Sequence, residues 1–293
     1  MVTRSPRKKP LKINDDGTVI TLHQSDIETW HTCGEQMRLV HKTNNRDETD
    51  AASVGTAMHG LIEHEIENGF YKTLKGAQSF ACNFFADLLE SYKENGSNYS
   101  RSSFGTDLKA LDTLKVLVTA WFHCPERDEL KYEQNLLTEW SFDVPFVTFG
   151  DVSIRLAGTS DLVLLDRNQI WDWKSAGRAY ERWEKQRWAI QPTVYTYAAA
   201  HEGLLVPDEF GRFEFHNKVF VRGKTSPPQD VTVYRTKANW DWLESQIASM
   251  LAVMVALPDG PWPLNDHGAL CGPKWCAFWS QCKGSFVSGE TWT

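Results

Sequence analysis

Two neighbouring segments combine the composition of buried strands with isolated charged residues. Residues 156–166 are rich in Leu and Val, which is typical of a strand buried on both faces, and residues 169–175 form a second, shorter strand candidate. Because side chains alternate along a strand, Asp172 and Lys174 lie on the same face of the second strand. Asp161 adds a carboxylate on the first strand. Burying these charges is costly, so the pattern indicates either a functional site or an ordinary salt bridge at the strand ends.

The functional interpretation of this strand pair is a site for a divalent metal ion. Two facing carboxylates, Asp161 and Asp172, suit a hard cation, and the nearby Lys174 suits a water nucleophile or a negatively charged transition state. His59 is a candidate additional ligand, since a neutral imidazole binds metal and the small residues at 55 and 57 let another backbone approach its helix. The alternative is a purely structural histidine, which is the more common role of a single histidine in a helix.

Composition limits the class of protein. The chain has 293 residues, 41% of them hydrophobic, with 13 tryptophans, which is enough for a substantial core in one large domain or two small ones. The net charge of -7 argues against a protein that coats DNA but leaves room for a local basic groove. We expect no membrane span, since no run of about 18 apolar residues occurs. Six cysteines without a secretory signal predict a reducing, cytoplasmic setting, where clustered cysteines bind metal more often than they form disulfides.

The order of predicted elements favours a single α/β domain at residues 18–293, after a flexible basic tail at 1–17. A helical portion at about 23–125 precedes a mixed sheet with helices at about 130–257, and a Cys-rich tail occupies 258–293. The helical patterns run over 25–40, 55–68, 75–92, 107–122, 180–201 and 236–257. Strands are expected at 18–22, 132–147, 152–165, 170–175, 218–222 and 231–234.

Polar, basic and aromatic residues follow the second strand of the charged pair. Gln191 and Tyr195 are four residues apart on the predicted helix, so both side chains can face the strand end. Before them, basic residues alternate with Tyr180, Trp183 and Trp188, which suits a nucleic-acid backbone and stacked bases. The candidate DNA-binding cations are Arg178, Arg182, Lys185 and Arg187. The alternative is a solvated helix face with the tryptophans in the core.

Three cysteines near the end of the chain, Cys271, Cys276 and Cys282, lie within a dozen residues of one another. Three thiolates leave a tetrahedral metal ion or an iron–sulfur cluster one ligand short. Cys33 is the best candidate for the fourth ligand, because its helix has a polar, partly exposed pattern, whereas Cys82 and Cys124 fit buried positions. Such a site would join residue 33 to the tail, and metal binding would be part of folding. Unrelated cysteines are the alternative.

Taken in order, these motifs resemble the RecB-like branch of the PD-(D/E)XK nuclease superfamily. The resemblance covers roughly residues 22–283, and the motifs that carry it are Gly55…His59, Gly158…Asp161, Asp172-Trp-Lys174 and Gln191…Tyr195. The four cysteines resemble the iron–sulfur subgroup, which includes the nuclease domain of AddAB-type helicase–nucleases and the RecB-like exonucleases associated with CRISPR systems. In size, the chain is similar to the stand-alone phage or CRISPR-associated members.

The resemblance implies a restriction-endonuclease-like α/β fold, in which a central mixed sheet is flanked by helices, with a helical N-terminal part and a Cys-rich C-terminal tail. It also implies that His59, Asp161 and Asp172 bind Mg²⁺ or Mn²⁺, with the backbone carbonyl of Trp173 as a further ligand. Lys174 would orient or help deprotonate the attacking water and stabilise negative charge on the phosphate.

The resemblance assigns the remaining residues to two roles, the binding of DNA and the binding of an iron–sulfur cluster. Gln191 and Tyr195 would hold DNA and position the catalytic lysine. The four cysteines would hold a structural [4Fe-4S] cluster that fixes the ends of the chain around the DNA channel. The family often places two residues between its second and third cysteines, whereas four separate Cys271 from Cys276, which leaves zinc as a rival.

The sequence therefore predicts a metal-dependent deoxyribonuclease. The resemblance implies an exonuclease that acts on single-stranded or end-bearing DNA, in repair or recombination in a bacterial or phage-infected cell. No G-x-x-x-x-G-K-[ST] phosphate loop occurs in the chain, so any unwinding would come from a helicase or recombination partner. Two alternatives from other classes are an iron–sulfur DNA-binding accessory subunit without turnover and a structural protein held together by zinc.

Overall fold

A computed structural model describes residues 12–13, 17–43, 48–97, 99–265, 270–272, 276–279 and 281–282. The helices of this part are α1 (Gln24–Thr32), α2 (Gly34–Thr43), α3 (Asp50–Asn68), α4 (Leu74–Glu94), α5 (Asp107–Phe122), α6 (Pro125–Leu130), α7 (Arg182–Trp188), α8 (Gln191–His201) and α9 (Lys237–Ala256). Its strands are β1 (Lys12–Ile13), β2 (Val19–His23), β3 (Glu48–Thr49), β4 (Tyr99–Ser100), β5 (Leu136–Phe149), β6 (Val152–Leu164), β7 (Gln169–Ala176), β8 (Phe213–Val221) and β9 (Gln229–Arg235). Among the helices described, none has the length and apolar character needed to cross a membrane.

The chain divides into two compact units. The first comprises Met1–Asn45, Asp143–Ala157 and Asp241–Thr293, and the second comprises Arg46–Phe142 and Gly158–Trp240. Three of the four boundaries fall within β5, β6 and α9, so each of these elements contributes residues to both units. The expectation of a single domain stays a prediction.

The second unit is built on a mixed sheet. The end of β6 pairs antiparallel with β7, β7 pairs parallel with β8, and β8 pairs antiparallel with β9. Helices pack against these strands: α3 contacts β7, α5 contacts β8, and both α7 and α8 contact β9. This architecture confirms the predicted α/β class with a central mixed sheet flanked by helices, consistent with a restriction-endonuclease-like fold.

An aromatic cluster fills the interface between this sheet and its N-terminal helices. The ring of Trp121 from α5 lies 5.3 Å from that of Trp173 on β7 and 6.4 Å from that of Phe220 on β8. All three side chains are buried, together with apolar residues of α3 and α4. Because Trp173 faces this core, strand alternation places its neighbours Asp172 and Lys174 on the opposite face, as predicted.

In the first unit, β2 pairs in parallel with the start of β6, and a helix pair follows it. The prediction of one helix over 25–40 is wrong, because Cys33 has an extended backbone (φ −167°, ψ 115°) between α1 and α2. The Glu35 amide at the start of α2 donates to the carbonyl of Pro263 at 3.2 Å. A tertiary hydrogen bond therefore takes the place of one that a continuous helix would make.

The predicted helix over 180–201 is likewise two helices, α7 and α8. Ala189 between them is extended (φ −71°, ψ 123°), and Pro192 lies in the first turn of α8. A proline lacks the amide hydrogen that a helix interior requires, so it suits a helix start. The strand pair predicted at 218–222 and 231–234 is present, but both strands begin earlier.

Candidate active site

Asp161 and Asp172 lie side by side on neighbouring strands of the second unit. Leu162 is opposite Trp171 in the antiparallel β6–β7 register, so the next pair in that register is Asp161 with Asp172. The backbone N–H of Trp173 donates to Asp161 Oδ2 at 2.8 Å. The backbone of the sheet therefore fixes the separation and the orientation of this carboxylate pair.

The Asp172 carboxylate is buried and held on both sides. It is 2% exposed, and its Oδ1 accepts a hydrogen bond from Gln191 Nε2 at 2.6 Å. Its Oδ2 lies 2.7 Å from the Lys174 ammonium nitrogen. Burial raises the pKa of Asp172 above its ordinary value; the charge of Lys174 opposes this rise and that of Asp161 adds to it. An ionised Asp172 therefore depends on positive charge beside it.

The Lys174 side chain is a protonated donor in this arrangement. Burial lowers the pKa of Lys174, but the charges of Asp172 and Asp161 and a hydrogen bond to Asp172 outweigh that effect and raise the pKa above its ordinary value. An ammonium group donates hydrogen bonds and positive charge, and it does not accept a proton. This state suits charge stabilisation and water orientation rather than proton abstraction.

His59 reaches the same carboxylates from helix α3. Its Nδ1 lies 3.4 Å from Asp161 Oδ1 and makes no hydrogen bond within the described part of the chain. The imidazole is buried, at 8% exposure. The predicted close approach of a second backbone is not found at Gly55 among the described residues, because a Cβ there would meet only the Ser175 Cβ of β7, at 3.9 Å.

Gln191 and Tyr195, both from α8, are engaged inside the protein. Gln191 bonds Asp172 as described, and the Tyr195 hydroxyl donates to the Thr159 carbonyl at 2.9 Å. A Cβ on Gly158 would lie 3.3 Å from the Tyr195 ring and 2.8 Å from the Phe142 ring, so the close packing requires glycine. Both α8 side chains thus hydrogen-bond to the strands that carry the site. Their expected contact with DNA stays a prediction.

Three of the four basic residues predicted to bind DNA lie in α7, and the fourth, Arg178, precedes it. Arg178, Arg182 and Arg187 are exposed, and the Lys185 ammonium lies 3.9 Å from the centre of the Tyr180 ring. Trp183 and Trp188 are 61% and 62% exposed. The alternative that placed these tryptophans in the core is therefore wrong.

The donor set at the strand pair fits a divalent cation. Two carboxylates and an imidazole converge, and these are ligands that Mg²⁺ and Mn²⁺ accept. The buried Nδ1 of His59, which has no hydrogen-bond partner in the described residues, is an atom that a cation would satisfy. Those residues contain no complete arrangement of three or more His, Cys, Asp or Glu side chains around a metal position. The ligand geometry, including the Trp173 carbonyl, stays a prediction.

A second constellation lies in the first unit, where four cysteines line one cavity of about 30 Å³, namely Cys33, Cys271, Cys276 and Cys282. Burial raises the pKa of Cys276, and the charges of Cys33 and Cys271 add to this effect. Burial, followed by the charges of Glu35 and the other three cysteines, raises the pKa of Cys282 to about 11. The structure thus brings together the four cysteines that sequence reasoning selected, without showing a metal geometry.

The remaining two cysteines belong to the second unit. Burial raises the pKa of Cys124 to about 12, and its sulfur accepts the Arg127 amide at 3.4 Å. Cys82 is half-buried on α4, and burial raises its pKa as well. Neither residue lines the cysteine cavity.

Sequence reasoning missed Arg235, which supports the site through α8. Its buried guanidinium donates to the Thr193 hydroxyl of α8 at 2.8 Å and to the Ala189 carbonyl, just before α8, at 2.8 Å. Its other acceptors are the carbonyls of Lys185, Gln186 and Tyr234. Backbone acceptors leave no residue-type signature, so no local pattern could have revealed this role.

Comparison with known proteins gives a family for this site. A search of curated proteins finds no matching relative. A family profile described as the PD-(D/E)XK nuclease superfamily matches residues 21–283, which includes both carboxylates, the lysine and the histidine of the strand-end site. The chain belongs to the PD-(D/E)XK nuclease superfamily.

Proposed function

We propose that this protein is a divalent-metal-dependent DNA exonuclease of the RecB-like branch, acting on single-stranded or end-bearing DNA. Membership of the superfamily makes it a metal-dependent nuclease that hydrolyses phosphodiester bonds. The observation that carries the proposal is the convergence of Asp161, Asp172, Lys174 and His59 at one end of the β6–β7 pair. Substrate form and exonuclease action rest on the family resemblance.

The carboxylates and the imidazole form the metal-binding part of this site. Asp161, Asp172 and His59 would hold Mg²⁺ or Mn²⁺, together with the Trp173 carbonyl. The bound ion would activate the attacking water and neutralise charge on the phosphate and the leaving group. Before DNA enters, Gln191 fixes one oxygen of Asp172 and the Trp173 amide fixes one oxygen of Asp161, so both carboxylates are oriented in advance.

Lys174 supplies positive charge where negative charge develops. Its ammonium group is held beside Asp172 at 2.7 Å and is 30% exposed, so a phosphate oxygen at the strand end can reach it. An ammonium ion in a largely buried site interacts strongly with an added negative charge. Lys174 therefore stabilises the pentacovalent phosphate and orients the water that attacks it.

The four cysteines extend the proposal to the iron–sulfur subgroup. We infer a structural [4Fe-4S] cluster bound by Cys33, Cys271, Cys276 and Cys282, with zinc as the rival. Support comes from the shared cavity and from the neighbouring thiols, whose charges add to the rise in the pKa of Cys276 and of Cys282. Thiolate ligands suit both iron–sulfur clusters and zinc, so the metal must be identified by experiment.

The wider setting is also part of the proposal. Residues 18–293 would act as one nuclease domain after a basic tail. Because the chain contains no G-x-x-x-x-G-K-[ST] phosphate loop, a helicase or recombination protein would supply any unwinding. DNA repair or recombination in the cytoplasm of a bacterial or phage-infected cell fits a protein whose six cysteines form no disulfide in the described residues.

Digestion of defined DNA substrates tests the function. Purified protein with Mg²⁺ or Mn²⁺ should degrade labelled linear single strands and leave circular DNA intact, because an exonuclease needs an end. Asp161→Ala and Lys174→Ala should abolish degradation while the circular dichroism spectrum stays unchanged. Asp151→Ala, which removes an exposed carboxylate in the β5–β6 turn, is the matched control and should keep full activity. Cleavage of circular DNA would identify an endonuclease and contradict the exonuclease assignment. Full activity in both site variants would contradict the assignment of the catalytic residues.

A further inference from the structure

Helix α7 is held in place in an unusual way. It has seven residues, none of them buried, so it does not owe its position to an apolar face packed on a core. It follows Tyr180, whose backbone N–H and carbonyl both pair with the Gln229 side chain of β9, at 2.8 and 2.9 Å. The start of this segment is therefore fixed to the edge strand by two hydrogen bonds.

The other end of α7 is fixed to the same strand. The Gln186 side-chain amide makes two hydrogen bonds with the backbone of Tyr234, at 2.9 and 3.0 Å. The buried Arg235 guanidinium donates to the carbonyls of Lys185, Gln186 and Ala189, which lie at the C-terminal end of the helix. A cation at a helix C-terminus also interacts favourably with the helix dipole. Segment 180–189 is thus anchored by hydrogen bonds at both ends, although α7 buries none of its side chains.

The exposed surface of α7 carries aromatic and basic side chains. Arg182 and Gln186 are four residues apart, as are Trp183 and Arg187, so these pairs are neighbours on the helix surface. Trp183 and Trp188 are 61% and 62% exposed, and the Arg187 guanidinium lies 4.6 Å from the centre of the Trp188 ring. The need to cover the edge of β9 explains the hydrogen bonds between this strand and segment 180–189. It does not explain why the anchored segment exposes two tryptophans.

The exposed surface of α7 lies close to the active site along the chain. Trp188 precedes Gln191 by three residues, and Gln191 donates directly to Asp172. Three residues of chain span at most about 10 Å. A nucleotide in contact with Trp188 would therefore lie within a few nucleotides of the carboxylate pair.

We propose that Trp183 and Trp188 stack on unpaired bases of the DNA strand that enters the active site, with Arg182 and Arg187 beside them at the phosphates. The proposal rests on the proposed nuclease function and identifies the residues that select single-stranded substrate. Bases are accessible for stacking only when they are unpaired, whereas phosphates are accessible in both forms of DNA. The three cations of α7, Arg182, Lys185 and Arg187, outnumber its one carboxylate, Glu184, and this excess positive charge complements a phosphate backbone, which identifies nucleic acid as the occupant.

Equilibrium binding without cleavage tests this assignment. The full-length protein is titrated into a fluorescently labelled single-stranded oligonucleotide, or the corresponding blunt duplex, in buffer without added Mg²⁺ or Mn²⁺, and anisotropy is recorded. Trp183→Ala and Trp188→Ala should each weaken single-strand binding about tenfold, which corresponds to about 1.4 kcal/mol, while duplex binding changes less than about twofold. Trp188→Phe keeps a flat ring and should retain most of the affinity.

Trp242→Ala is the matched control, since Trp242 is also exposed, at 43%, but lies on α9 and belongs to the first unit. It should bind both DNA forms as the wild type does. Unchanged single-strand affinity in both alanine variants, or an equal loss for both DNA forms, would overturn the stacking proposal. Because these measurements need no metal, they stand apart from the activity assay: absence of turnover with Mg²⁺ and Mn²⁺ would contradict the nuclease function and leave the stacking result intact.

Discussion

Gln191 Nε2 donates a hydrogen bond to Asp172 Oδ1 at 2.6 Å, from the first residue of α8 to the middle of β7. Both groups are buried, so this bond fixes the orientation of the carboxylate. A hydrogen bond to a charged group contributes about 1.5–3 kcal/mol, and Gln191→Ala should therefore lower kcat about 10- to 100-fold. Because Gln191 acts through Asp172, KM for DNA should change little in steady-state digestion.

Gln78→Ala is the control for this prediction. The Gln78 amide bonds the Thr119 hydroxyl at 3.2 Å and belongs to the same unit, but it is not part of the strand-end site. Its kcat should equal that of the wild type. A raised KM with an unchanged kcat in Gln191→Ala would instead support the direct DNA contact that the family resemblance implies.

Two glycines should respond oppositely to alanine. At Gly158 a Cβ would lie 2.8 Å from the Phe142 ring, which is itself buried against Tyr195, so Gly158→Ala should cost about 1–3 kcal/mol of unfolding free energy. At Gly55 the nearest atom would be 3.9 Å away, and alanine favours the helix by up to about 1 kcal/mol. Urea unfolding of both variants measures the difference. Equal destabilisation by the two substitutions would contradict the packing argument.

Arg235→Ala should destabilise the protein strongly. The guanidinium is 2% exposed, its acceptors in the described residues are neutral, and burial lowers its pKa to about 10. Removal takes this donor away from the buried Thr193 hydroxyl and from four partly buried backbone carbonyls, so we expect a loss of about 3 kcal/mol in the free energy of unfolding by urea. Arg212→Ala, which breaks an exposed pair with Asp208, should cost less than about 1 kcal/mol. Similar losses for both would show that the Arg235 hydrogen bonds contribute little.

The strand-end site was accessible from sequence because its signal is local. Alternation along one strand determines that Asp172 and Lys174 share a face. The apolar composition of the preceding segment predicts a neighbouring buried strand, and that strand contains Asp161. These properties depend on residues within a few positions of one another. The structure therefore agrees with the predicted placement of these side chains, and their catalytic roles stay predictions.

The elements that sequence reasoning placed wrongly depend on distant residues. The helix break at Cys33 accompanies a hydrogen bond between Glu35 and Pro263, more than 200 positions away. The end of α7 is fixed by Arg235, which lies beyond the next helix and strand. Propensity and periodicity contain no information about such partners, so both segments were predicted as uninterrupted helices.

Asp26 should make the free energy of unfolding depend on pH in the acidic range. Burial would raise the pKa of Asp26, but hydrogen bonds with His23 and His41 outweigh it and lower the pKa below the ordinary 3.8. A carboxyl group with a lowered folded-state pKa stabilises the protein above its unfolded pKa, and this stability is lost as the pH falls below that value. In Asp26→Asn, the free energy of unfolding should therefore fall less steeply below about pH 4, by up to about 1.4 kcal/mol per pH unit.

Urea unfolding at a series of pH values measures this slope. Asp151→Asn is the control, since Asp151 is an exposed turn residue, and its slope should match that of the wild type. If the Asp26 variant keeps the wild-type slope, then the histidine contacts of Asp26 do not favour its ionised form.

Substitution of single cysteines should separate metal ligands from ordinary thiols. Cys33 lines the cavity with the three C-terminal cysteines, whereas Cys82 lies in the other unit. Protein purified without oxygen should be brown with broad visible absorbance if it holds an iron–sulfur cluster, and colourless if it holds zinc. Cys33→Ala should lose bound metal in elemental analysis, because three thiolates leave one coordination position empty, and Cys82→Ala should keep it. Equal metal loss in both variants would show that the fourth ligand is assigned wrongly.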